Sequence, residues 1–172
     1  MTILPILIHP DPRLKKVAEP VEAFDDAVRR LAADMLATMY DAPGVGLAAP
    51  QVGVLRRIFV MDCNRDEPGL EPTVVINPEI VWASDEMRTH EEGCLSIPDI
   101  YDDVTRPAAI RLRFFDQHGQ VHERDYDGLW ATCAQHELDH LNGRLFIDYL
   151  SPLKRTIITG KMKKLKKERA RV

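Results

Sequence analysis

His136-Glu137-Leu138-Asp139-His140 places two histidines four residues apart, with a glutamate directly after the first. On a helix that spacing stacks both imidazoles on one face, one turn apart. Both rings can then share a single divalent metal ion. Glu137, beside the first ring, can take a proton from a water activated by that ion. The competing reading is a chance match on a polar helix, with both rings merely packed or solvated.

A catalytic metal site needs a third protein ligand and one open position. Two peptidase patterns fail here. In H-E-x-x-H-x-x-G-x-x-H the third ligand would fall on Phe146, and the only downstream glutamate is Glu168, inside a basic tail. That leaves the cysteines, whose thiolates suit iron and zinc. Cys133 shares the histidine face but precedes His140 by two turns, about 10.5 Å along the axis; it reads as a pocket wall. Cys63 ends an apolar strand and reads as core. Cys94, in Glu92-Gly93-Cys94-Leu95-Ser96-Ile97-Pro98, can approach the helix from the side as part of a loop. The expected ligands are therefore Cys94, His136 and His140.

A second segment, Gly44-Val45-Gly46-Leu47-Ala48-Ala49-Pro50-Gln51, contains G-x-G-x-x-A. A dinucleotide fingerprint would need a strand before it and a helix after it. Here a helix precedes, and Pro50 interrupts what should follow. The glycines can instead let a backbone edge come close to a bound peptide. The Gln51 amide can polarise a carbonyl or simply satisfy the local backbone.

These residues must be held by elements that the rest of the sequence outlines. Pro5, Pro10, Pro12 and Pro20 keep the first 24 residues extended. Val28, Leu31, Met35, Leu36 and Met39 repeat with helical spacing over residues 25–40, capped by Asp25 or Asp26. Residues 57–61, 73–77 and 79–82 read as strands. Residues 109–115 and 120–126 read as a hairpin around Asp116-Gln117-His118-Gly119. A second helix is expected over residues 128–142. A third starts at Ser151-Pro152, an N-cap followed by an N1 proline. The class is α+β: antiparallel strands packed around a central H-E-x-x-H helix, with a C-terminal helix. Residues 1–172 are expected to form one domain, with the basic helix at about 151–172.

The 172 residues are 45% hydrophobic and 29% charged. That composition excludes a disordered, collagen-like or disulfide-scaffold chain, and three cysteines cannot all pair. No apolar run approaches the roughly 18 residues of a membrane span. The N-terminus lacks the basic flank and cleavage site of a signal peptide, so no membrane partner is expected and the expected compartment is the cytoplasm. The net charge of −4 divides unevenly: residues 154–172 hold nine Lys or Arg against one Glu, leaving an acidic body. Such a tail can meet an anionic partner such as nucleic acid, or be a solvated helix face.

Taken together, the segments resemble peptide deformylase. Gly44–Gln51 matches G-x-G-L-A-A-x-Q, Glu92–Pro98 matches E-G-C-L-S-x-P, and Gln135–Leu141 matches Q-H-E-x-D-H-L. The flanks His9–Leu14 and Leu145–Leu150 are similar too, so the resemblance covers nearly the whole chain. It implies removal of the formyl group from N-formylmethionyl peptides, with release of formate. It implies Cys94, His136 and His140 as ligands of Fe2+, with Zn2+, Ni2+ or Co2+ able to substitute. Glu137 would act as base and then acid; Gln51 and the Leu95 backbone N–H would stabilise the oxyanion. Gly46 and the main chain near Gly93 would hold the substrate backbone. Val45, Leu129, Thr132, Cys133 and His136 would form the methionine pocket. The C-terminal helix would dock on the ribosome through Lys161, Lys163, Lys164, Lys166 and Lys167. Some positions depart from the pattern. His90 stands where an apolar pocket residue is expected, at a pocket rim or on a surface loop. Trp130 can narrow the pocket or pack in the core. Tyr101 falls where some relatives carry an arginine that contacts substrate, leaving Arg106 as a nearby basic candidate.

Overall fold

The computed structural model describes residues 1–64 and 69–171. Helix α1 spans Asp26–Asp41, and the Asp25 side chain accepts from the Val28 N–H at 3.1 Å. Seven strands follow: β1 (Gly46–Ala48), β2 (Ile58–Met61), β3 (Thr73–Ala83), β4 (Met87–Cys94), β5 (Ile97–Pro107), β6 (Ala109–Phe115) and β7 (Val121–Asp127). Helix α2 is Gly128–Leu141 and helix α3 is Pro152–Ala170. Short 3-10 turns cover Pro12–Lys15, Ala49–Val52 and Phe146–Tyr149. The α+β reading holds.

A five-stranded sheet runs in the order β1-β2-β3-β6-β7, antiparallel throughout. It lies between two helices. Ile58, Val60, Val74 and Ile76 pack with Val28, Met35 and Met39 of α1. Phe59, Met61 and Val75, on the alternate positions, pack with Ala131, Cys133 and Ala134 of α2. Successive strand side chains point to opposite faces. With both faces covered, β2 is apolar at every position.

Two features differ from the expectations. Residues 73–83 form one strand, not two. Its pairing with β6 shifts register between Ile76 and Glu79, and Asn77 there has φ 51°. The bulge absorbs Pro78, which has no N–H for the ladder. The segment carrying Cys94 is also no loop. Strands β4 and β5 form a separate two-stranded sheet, paired from Met87↔Pro107 to Gly93↔Tyr101, with a register shift just before Cys94↔Ile97.

A third apolar cluster holds α3 to the body. Ile158 and Met162 meet Leu14, Ile97, Val104 and Phe146 there. Ser151 caps this helix, its Oγ accepting from the Lys154 N–H at 3.2 Å. Among the described residues, no helix is long and apolar enough to cross a membrane.

Candidate metal centre and substrate cleft

Nine of the fourteen residues of α2 are buried, including Cys133, His136, Glu137 and His140. The end of β4 brings Cys94 against this helix. Its Sγ lies 3.4 Å from His140 Nε2, and the ligand atoms of Cys94, His136 and His140 all lie within 4.8 Å of one another. Among the described residues this is the only such group of three. One sulfur and two ring nitrogens at this spacing suit a single transition-metal ion.

The donors are oriented from behind. His136 Nδ1 donates to Glu92 Oε1 at 2.9 Å, which leaves Nε2 toward the group of three. Arg106 grips the same carboxylate with two bonds of 2.7 and 2.9 Å, and reaches Asp139 Oδ2 at 2.8 Å. The Tyr149 hydroxyl donates to that Asp139 oxygen, also at 2.8 Å. Burial alone would raise the Glu92 pKa; the Arg106 and His136 hydrogen bonds overcome it and hold the pKa at about 2. The His136 ring shows the same contest. Burial disfavours its charged form, but Cys94 and Glu92 outweigh burial and raise the pKa. For His140 the balance goes the other way: burial, followed by repulsion from His136, lowers its pKa.

Glu137 is 3% exposed, with Oε1 3.7 Å from His136 Nε2. Its Oε2 has no hydrogen-bond partner among the described residues. Burial pushes its pKa up to about 7 against the pull of His136. A Cβ at Gly46 would lie 2.8 Å from Cys133 Sγ and 3.0 Å from both Cγ and Cδ of Glu137. The sequence reading assigned this glycine to close approach of a peptide; the structure shows that the approach of β1 to α2 already requires it.

Gln51 satisfies the local backbone and reaches the Cys94 turn. Its Oε1 accepts from the Ala48 N–H at 2.9 Å. Its Nε2 donates to Ser96 Oγ at 3.1 Å and lies 3.4 Å from Cys94 Sγ.

A cavity of about 400 Å³ opens in front of these groups. Val45, Gly46, Gly93, Cys94, Leu95, Leu129, Thr132, Cys133, His136 and Glu137 all line it, whereas Gln51 and His140 are buried and do not. His90 and Tyr101 also line it. Tyr101 packs its ring over Gly93, where any Cβ would collide with it. Trp130 stacks on Tyr126 with ring centroids 5.9 Å apart. Cys133 is a wall residue: the contact with Cys63, then burial, push its thiol pKa well above the usual value. Cys63 packs against the α2 side of the core.

One candidate is corrected. Arg106 is 5% exposed and fully engaged by Glu92 and Asp139, so it supports His136 and does not reach for substrate. The chain Glu92–Arg106–Asp139–Tyr149 was missed from the sequence. Its signal lay inside the motifs: Glu92 precedes Gly93-Cys94, and Asp139 stands between Glu137 and His140.

Residues 3–156 match the sequence profile of the Polypeptide deformylase family. Peptide deformylase of Brucella suis is 52% identical over 170 residues, covering 99% of this chain and 97% of that protein. Peptide deformylase 1 of Ralstonia nicotianae is 54% identical over 171 residues, covering 99% and 100%. The crystal structure of a peptide deformylase from Legionella pneumophila superposes with a TM-score of 0.92 at 48% identity, covering 99% of each chain. That from Ehrlichia chaffeensis, in complex with actinonin, gives 0.92 at 42% identity, covering 95% and 98%. The profile spans the glycine segment, the Cys94 turn and the H-E-x-x-H helix together, so the chain belongs to the peptide deformylase family, metal-dependent hydrolases that remove the formyl group from the N-terminal methionine of new polypeptides.

Proposed function

We propose that Cys94, His136 and His140 hold one ferrous ion, with zinc, nickel or cobalt able to replace it, and that Glu137 moves the proton of the reaction. One thiolate and two neutral imidazoles leave such a site with a charge of about +1. When bound, the ion supplies a Lewis acid and lowers the pKa of water toward neutrality. Glu137 takes up a proton during attack and returns it to the leaving amine. The Gln51 amide and the Leu95 backbone N–H donate where negative charge develops on the formyl oxygen. Val45, Leu129, Thr132 and Cys133 form the methionine pocket, and the main chain at Gly46 and Gly93 pairs with the peptide. The observation that carries this reading is Glu137 Oε2, buried and unpartnered beside the three donors.

The test is formate release from formyl-Met-Ala-Ser by metal-loaded protein beside Glu137→Gln. The expected result is a loss of about 10²–10⁴-fold in the variant with its metal content intact. Turnover retained by a metal-loaded Glu137→Gln protein removes the assigned role. Ferrous iron and thiolate are both oxidisable, so iron-loaded enzyme should lose activity in air while nickel-loaded enzyme keeps it; equal air stability of the two discards iron as the native ion.

The reading extends to the setting. Residues 1–172 act as one domain in the cytoplasm, where new chains are made. The exposed Lys161, Lys163, Lys164, Lys166 and Lys167 of α3 bring the enzyme to anionic ribosomal RNA.

A further inference from the structure

A second cavity, of about 550 Å³, lies between the first half of α3 and the body. It shares no lining residue with the metal-centre cleft. Arg155, Thr156, Thr159 and Lys163 line it from α3, at spacings that put them on one helical face. Lys15 and His9 line it from the body.

Charge and hydrogen bonding single out an anion. Lys15 is matched by Asp148, whose two oxygens it meets at 2.7 and 2.8 Å. Arg155 spends one N–H on the Asp148 carbonyl at 3.2 Å, and neither Arg155 nor Lys163 has a carboxylate within ion-pair distance among the described residues, so with Lys15 set against the lining Asp148 the cleft keeps a net positive charge of about two. His9 is 6% exposed, and its Nε2 shares a 2.9 Å hydrogen bond with Thr159 Oγ1. Its Nδ1 is buried with no partner among the described residues. An orphaned lone pair costs less than an orphaned N–H, so the proton sits on Nε2 and is donated to Thr159. Burial, then Lys15, lowers the His9 pKa and keeps the ring neutral. The Thr159 hydroxyl proton is thereby free to point into the cleft. Gly160 also lines the cleft, and a Cβ there would meet nothing within 4 Å, so the helix leaves open space beside these donors. The remaining guanidinium N–H groups of Arg155, the Lys163 ammonium and the Thr159 hydroxyl suit a tetrahedral oxyanion.

We propose that this cleft between α3 and the body binds a phosphate group, held by Arg155 and Lys163 with Thr159 donating. The phosphate can belong to an RNA backbone or to a small phosphomonoester.

The test is an NMR titration of full-length, zinc-loaded protein with inorganic phosphate, beside chloride and acetate at matched ionic strength. Saturable shifts at the Thr159 and Gly160 amides are expected with phosphate alone. The double variant Arg155→Gln/Lys163→Gln should weaken binding about tenfold. Gly160→Leu keeps every charge and improves helix propensity, yet should abolish binding by filling the space. Lys164→Gln/Lys167→Gln should leave these shifts unchanged, which separates this cleft from any ribosome contact of the outer tail. A dinucleoside monophosphate that binds as well as phosphate identifies an RNA source; binding by glycerol phosphate alone identifies a small phosphomonoester. Equal shifts with chloride or acetate, or binding that survives in both cleft variants, overturns the proposal.

Discussion

Helices α2 and α3 are held by opposite means. In α2, nine of fourteen residues are buried; in α3, only Ile158 and Met162 of nineteen are. A helix covered on nearly every side leaves few polar groups to water, so most polar side chains of α2, such as Gln135, His136 and Asp139, are tied to a neighbour. Helix α3 is held by two buried apolar side chains, the Ser151 cap and a few polar ties such as Lys154–Asp102 and His9–Thr159, and it keeps its outer lysines in solvent. The difference teaches that α2 is positioned on all sides by its environment, while α3 is positioned along one narrow seam.

Breaking the support behind α2 should give the largest effect. Glu92→Ala strands Arg106 in the interior and frees His136 Nδ1. Loss of one member of such a buried pair costs about 3–5 kcal/mol, and loss of the carboxylate behind a metal-binding histidine weakens metal affinity about 10–100-fold. Denaturant melts and metal titration would read both, and unchanged affinity would show that the carboxylate is only structural. Gly46→Ala should come next. Its Cβ would press on Cys133 Sγ and Glu137, and overpacking of this kind costs about 1–3 kcal/mol. Adding Cys133→Ala should recover part of that loss; strict additivity of the two substitutions would refute the contact as its origin. The smallest effect on the fold belongs to α3. Lys164→Gln/Lys167→Gln should change stability by less than about 0.5 kcal/mol and leave small-peptide turnover alone. Its effect should appear on ribosomes, where the log–log salt slope of binding should fall by about two. An unchanged slope would end the docking role for these lysines.

How much was legible in advance follows the same contrast. The α2 site was readable because i, i+4 spacing fixes its geometry locally. The five-stranded sheet was readable from apolar runs such as Ile58–Met61. Strands β4 and β5 were not, because His90, Glu91, Asp99, Asp102 and Asp103 make them too polar to resemble strands, and Pro98 and Pro107 suggest loop. They pair only with each other and bury little, so their burial alternates while the residue types along them do not. Arg106 was misread for a related reason. Its partner Glu92 lies fourteen residues earlier on the paired strand, and nothing local shows that the two are buried together.

The chain Glu92–Arg106–Asp139–Tyr149 has a consequence for when the enzyme becomes an enzyme. It joins β4, β5, α2 and the turn Phe146–Tyr149, and the Cys94–His140 contact closes a span of 46 residues. In a zinc finger, metal capture and folding are one event because the small domain does not fold without its ion. Here the donors come into register only after long loops have closed. While the protein is itself being synthesised, the three donors cannot meet before His140 has emerged. The ion is therefore acquired late, by a nearly finished fold, and metal starvation should yield folded protein waiting for its ion.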